Sequence, residues 1–237
     1  MNIFKFVLVI PVALALWGCG APIVSEPEPE TFPAERAVVE AEYIIDESDL
    51  LVAESFALEA EPSGLSELEI AGLYLMREEE KLARDVYLTL GDKWGIQIFS
   101  NIAASEQTHT DAVKKLIETY GLVDPVSDDS RGVFASIELQ ALYNQLVSQG
   151  EVSVLEALMV GATVEDLDIK DLDELMAQTD NTAILEVYAN LQKGSRNHMR
   201  AFIRNISNRG GTYVAQYISP EALAAILASE QERGRAR

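Results

Sequence analysis

The chain contains only two histidines, and each follows a polar residue by three positions: Glu106-Gln-Thr-His109 and Ser195-Arg-Asn-His198. At that spacing both members of a pair lie on one face of a helix. Three further acidic residues, Glu80, Glu165 and Asp168, also stand in stretches whose neighbouring face is apolar. Carboxylates with imidazoles suit Fe, Mn or Zn, and a donor set dominated by oxygen argues against copper thiolate chemistry. The candidate metal ligands are therefore Glu80, Glu106, His109, Glu165, Asp168 and His198.

Four amphipathic stripes must carry these residues. From Leu65 onward the first has Leu73, Met76, Glu80, Ala83, Tyr87, Leu90 and Trp94 at alternating steps of three and four, which is the spacing of a helix with one apolar face. The second, over about Ile96 to Tyr120, has Phe99, Ile102, Glu106, His109, Val113, Leu116 and Tyr120, with Gly121 as its stop. The third is capped by Ser153 and runs through Leu155, Leu158, Ala162, Glu165, Ile169, Leu172 and Met176, with Asp168 one turn beyond Glu165. The fourth opens near Thr182, stops at Gly210-Gly211, and carries Ile184, Tyr188, Leu191, Ser195, His198 and Phe202. Each stripe is broken by polar groups. A buried carboxylate without a partner costs several kcal/mol, so four such interruptions ask for one explanation, and a shared metal supplies it.

Depth along the helices agrees. Glu80 lies about 14 residues before Trp94, and Glu106 and His109 lie about 10 and 13 after Ile96, which puts all three at about 15–21 Å from the turn between them. In the second pair, Glu165 is about 14 residues from a helix end near Thr179, and Ser195 and His198 are about 13 and 16 beyond Thr182. All four layers can meet in mid-bundle. Other polar residues have plainer readings: Glu78 and Glu79 as solvated helix charges, Trp94 as core, Ser195 as a hydroxyl bonded back to its own helix. The two histidines also have one, as imidazoles satisfied by Glu106 and Glu165 without metal.

These motifs resemble the ferritin-like family of carboxylate-bridged metal proteins, ferritins and rubrerythrins included. Glu-x-x-His opposite a lone Glu on the preceding helix is how those proteins hold paired ions. Glu80-Lys-Leu-Ala-Arg-Asp-Val-Tyr87 is similar to their first helix, in which a ligand Glu precedes a Tyr by two turns. Glu106-Gln-Thr-His109 is similar to the second, and Glu165-Asp-Leu-Asp168 to the paired carboxylates of the rubrerythrin third helix. The resemblance covers about Leu65 to Gly211 and extends to an uncharacterised bacterial group of ferritin-like domains. It implies an all-α, antiparallel four-helix bundle, with a long crossover from Gly121 to Glu151 that carries a short helix near Glu138 to Val147. It also implies iron, or Mn or Zn, at one or two ions per chain, oxygen or peroxide as oxidant, and Tyr87 as the candidate catalytic residue. One departure stands out: Ser195 occupies the place where such proteins usually carry a Glu. A mononuclear site and a loosely held second ion are both consistent with that change. A non-catalytic scaffold is the competing reading.

The rest of the chain concerns address rather than chemistry. Lys5 followed by an apolar run from Phe6 to Trp17 has the form of a signal peptide and is short for a bilayer span. It ends in Leu16-Trp17-Gly18-Cys19, which resembles a bacterial lipobox whose cysteine, here the only one in the chain, is lipidated. The expected layout is a signal peptide over 1–18, an acidic Pro/Glu-rich tether over 19–64, the bundle over 65–211 and an extension over 212–237. Ser219-Pro220-Glu221 in that extension caps one last short helix. The expected location is the cell envelope, anchored through Cys19 and facing the periplasm from the outer membrane. Thirty-nine acidic against 18 basic residues give a formal charge of -21. That field repels phosphates, which excludes nucleic acid as a natural partner and leaves cations favoured. A homodimer is compatible with everything above.

Overall fold

The computed structural model describes residues 64–234, and within them every regular element is helical: six helices and no strand. They are α1 (Glu67–Trp94), α2 (Gln97–Thr119), α3 (Ile137–Gly150), α4 (Val154–Met176), α5 (Thr182–Asn208) and α6 (Pro220–Ala228). The expected signal peptide, lipobox and most of the tether lie outside the described residues. No described helix is long and apolar enough to cross a membrane.

Local chemistry sets the ends. Ser66 and Glu69 close a capping box on α1, the Glu69 amide donating to Ser66 Oγ at 3.2 Å and the Ser66 amide donating to Glu69 Oε2 at 2.7 Å. Gly95, at φ 65°, lets α1 end and α2 begin within two residues, so the pair is antiparallel. Ser136, Ser153, Asn181 and Ser219 cap α3, α4, α5 and α6, each satisfying backbone N–H groups that a helix start leaves open.

The four long helices pack as two hairpins, α1 with α2 and α4 with α5, while α1 also meets α4 and α2 meets α5. The core falls into two apolar clusters. One holds Tyr87, Leu90, Phe99, Ile102, Leu158 and Phe202; the other holds Leu73, Met76, Val113, Leu116, Leu172 and Ile184. Between them lies the polar layer of Glu80, Glu106, His109, Glu165 and His198, every member at most 6% exposed.

Helix α1 corrects one expectation. Glu78 and Glu79, read as solvated charges, are both buried: Glu78 because the crossover covers the outer side of α1, and Glu79 because it turns toward α4 and Asp171. Arg77 pairs with Asp124 at 3.0 Å, Arg84 with Asp129 at 2.8 Å, and Glu78 accepts from the amides of Ala135 and Ser136. Lys81, fully buried, donates to Asp85 and to the carbonyls of Ser130 and Val133. The ionic groups enclosed by the crossover are tolerable because each is ion-paired or hydrogen-bonded. Residues beyond α5 fold back in the same way. Asp166 accepts from Tyr213 Oη and from the amides of Gln216, Tyr217 and Ile218, and Glu232 pairs with Arg196 and Arg200.

Candidate metal centre

Helix α2 contributes the middle of the site. Glu106 and His109 are one turn apart, so both face inward, and His109 Nδ1 lies 2.7 Å from Glu106 Oε2 and 3.2 Å from Glu80 Oε2 on α1. The other Glu106 oxygen, Oε1, lies 2.8 Å from His198 Nδ1 on α5, which is in turn 3.4 Å from Glu165 Oε2 on α4. Two clusters result, Glu80–Glu106–His109 and Glu106–Glu165–His198, each with ligand atoms within 4.8 Å of one another. Glu106 belongs to both. The imidazole rings stack with centroids 5.6 Å apart.

The imidazoles are aimed by what touches their far sides. Ser105 Oγ is 3.1 Å from His198 Nε2, which turns Nδ1 toward the carboxylates. Gly194 does the same for His109 by leaving space: a Cβ there would lie 2.4 Å from the ring's Cε1 and 2.7 Å from Nε2. Tyr87 stands one layer above, its O–H donating to Glu165 Oε1 at 2.5 Å and its ring packed on Phe99 and Phe202.

The electrostatics are those of several acids sharing little solvent. Burial pushes the Glu80 carboxyl up to about 8, with His109 opposing and Glu106 adding to the rise. Burial also acts to raise Glu106, but His198 and His109 on either side hold it well below the usual carboxylate range. Burial acts to lower His109, and Glu106 and Glu80 outweigh it, so this imidazole is raised well above its ordinary value. Asp168 is raised well above a normal carboxyl by burial and by Glu80 and Glu165. Groups this perturbed, in a shared cavity, are the electrostatic mark of a functional site.

Five of the six candidate ligands converge in the two clusters. Asp168 does not join either, but it contacts the Ser195 hydroxyl and lines the same pocket as Glu80, Glu106 and Glu165. Ser195 Oγ also lies 2.9 Å from the Leu191 carbonyl, the back-bond expected of a mid-helix serine. Sequence reasoning missed Ser105, Gly194 and Asp171. Gly194 had a signal, since a glycine inside a helix needs a packing reason. Asp171, one turn beyond Asp168, had one too.

The donor set fits a metal. Glu80 Oε1 and Glu106 Oε1 are buried with no aligned hydrogen-bond donor, and Glu106 Oε1 nevertheless approaches His198 Nδ1 to 2.8 Å. Carboxylate oxygens and imidazole nitrogens gathered at such distances are donors that could hold a common cation.

Residues 69–230 match the family model described as uncharacterized protein domain DUF2202. The chain belongs to this family. All the residues of both clusters fall inside the DUF2202 match. A relative, the uncharacterized protein MJ0754 of the archaeon Methanocaldococcus jannaschii, is 58% identical over 170 residues, covering 72% of this chain and 92% of that protein. The crystal structure of hypothetical protein MJ0754 from Methanococcus jannaschii is similar with a TM-score of 0.72 at 56% identity, covering 73% of this chain and 99% of that one. The DUF2202 family thus extends beyond the bacterial group expected from sequence. Its match begins well after the Cys19 motif.

Proposed function

We propose that this DUF2202 protein is a ferritin-like di-metal protein, iron being the first choice, that oxidises Fe(II) with oxygen or peroxide. The observation that carries the reading is the position of Glu106, whose two oxygens face different histidines, each backed by its own outer carboxylate. One ion would be held by Glu80 and His109, the other by Glu165 and His198, with Glu106 between them. Charge supports the same count. Glu80, Glu106, Glu165 and Asp168 carry four negative charges when ionised, the number that two divalent ions neutralise beside two neutral imidazoles. Asp168, held by Ser195, then supplies from α4 the carboxylate that α5 lacks.

Bound iron would supply the redox couple, and carboxylate donors favour its ferric state. The chain does the rest. Tyr87 fixes the orientation of Glu165 through its O–H, which makes it the candidate catalytic residue beside the centre. The leucines of α3 and the paired clusters of apolar side chains limit water. A scaffold without catalysis is the second reading. It is favoured by the raised His109, because an imidazolium between two carboxylates satisfies that half of the layer by itself.

Elemental analysis of the full chain purified without chelator separates the two. Two Fe or Mn per chain, with Fe(II) oxidised faster than in buffer by oxygen or peroxide, supports the di-metal reading. No metal, together with melting unaffected by added metal, refutes it in favour of the scaffold. Two ions without turnover removes the oxidase claim alone. The lipobox-like Leu16-Trp17-Gly18-Cys19 supports a lipid-anchored protein of the cell envelope, and an unmodified Cys19 by mass spectrometry of the mature N-terminus would refute that.

A further inference from the structure

Beside the histidine layer, and not part of it, two carboxyl groups face each other between α1 and α4. Glu79 is 6% exposed, and neither of its oxygens meets a hydrogen-bond donor. The charged groups that act on it are acids, Asp171 most strongly and Asp168 next. Asp171 is 5% exposed. Its Oδ1 accepts from Lys170 Nζ at 2.7 Å, while Oδ2 is buried and meets no donor. Glu79 lines the solvent-connected pocket whose walls also include Glu80, Asp168, Glu165 and Leu142 of α3.

Burying such a pair is unfavourable unless a proton or a cation stands between the two groups. Location decides which matters for function. Glu79 sits on a pocket wall that continues to Asp168 and Glu80, with Asp171 behind it, so a cation entering the pocket meets Glu79 beside the ligands it will reach. We infer that Glu79 and Asp171 form a docking site that captures a divalent cation and passes it by way of Asp168 to the centre, an inference that rests on the metal-binding reading above. Two carboxylates, one already shared with an ammonium, bind weakly enough to release the ion inward. Lys170 is a competitor for the site, holding half of Asp171.

The alternative is a proton-sharing clamp that only ties α1 to α4, and Glu79→Gln separates the two because its amide can donate to Asp171 and keep the clamp. The full chain, stripped of metal, is mixed with Co(II) in a stopped-flow instrument and the visible absorption is followed; stoichiometry is read by calorimetry and folding by melting. A one-sign cleft raises the capture rate of counter-ions by about 10–1,000-fold, so E79Q is expected to load at least about tenfold more slowly, with final stoichiometry and melting unchanged. Lys170→Gln is expected to load faster, a gain that damaged folding does not produce. An unchanged rate in both variants overturns the docking site and leaves the centre intact. A lost equivalent of Co(II) in E79Q also overturns it, by making Glu79 a ligand of the centre. A wild-type chain that takes up no Co(II) overturns the metal-binding reading and the docking site together.

Discussion

Gly194→Ala tests the orientation of His109 without replacing any candidate ligand. The new methyl would stand 2.4 Å from His109 Cε1, where ordinary contact begins near 3.4 Å, so the ring must retreat by about 1 Å. Metal–ligand distances tolerate about 0.2 Å. The displacement is several times that, and it acts on one histidine, since His198 is aimed by Ser105. Overpacking costs about 1–3 kcal/mol and the helix preference for alanine over glycine returns about 1 kcal/mol. The net loss is about 1 kcal/mol, or about 2–4 °C in melting for a domain of this size. Calorimetric titration with Mn(II) is therefore expected to give one ion per folded chain in place of two, or a second site weakened by about 10–100-fold. Two ions of unchanged affinity in a folded G194A protein would refute the reasoning, because His109 would then not bind in the orientation seen.

Other outcomes follow from the same geometry. Glu106→Ala should abolish both sites, since both clusters use that residue, whereas His198→Ala should remove one equivalent; elemental analysis of the purified variants reads this directly. Tyr87→Phe leaves a Glu165 oxygen without its donor and should cost about 1–3 kcal/mol in urea unfolding, keep two ions, and slow Fe(II) oxidation. Glu80 rises on folding from about 4.5 to about 8 and His109 rises with it, so the metal-free fold holds extra protons and loses stability as pH climbs through that window. Metal displaces those protons, so the melting difference with and without Mn(II) should widen from about pH 5 to pH 8, and a constant difference would contradict it. Asp166→Ala removes the acceptor for three amides and one hydroxyl and should cost about 2–4 kcal/mol, with faster proteolytic cleavage over 212–234 as the readout.

Much of the fold was legible because each long helix keeps one apolar stripe and a recognisable start. Ser153 and Ser219 cap the helices expected of them, and the expected opening at Thr182 is met, with Asn181 as its cap. The polar breaks in those stripes were also legible, and depth counting placed Glu80, Glu106, His109, Glu165 and His198 in the layer they share. What the pattern could not convey was the second burial of α1. A stripe reports which face meets the first partner, and Glu78, Lys81 and Asp85 lie on the opposite face. They are buried only because a crossover, distant in sequence, closes over them with backbone amides and carbonyls that match their charges. Gly194 and Ser105 were hidden for a related reason, since they act on a ring from another helix.

The two halves of the centre are held from outside by different parts of the chain. Glu80 is on a helix whose back is strapped by the crossover, through Arg77, Lys81 and Arg84. Glu165 and His198 are each followed or preceded by a residue that grips the C-terminal segment, Asp166 and Asn197. Local opening of either strap therefore loosens one half and leaves its neighbour in register. In the di-metal reading proposed above, a centre with one shared carboxylate and two separate restraints would exchange its ions on separate clocks, in the order set by whichever strap opens first.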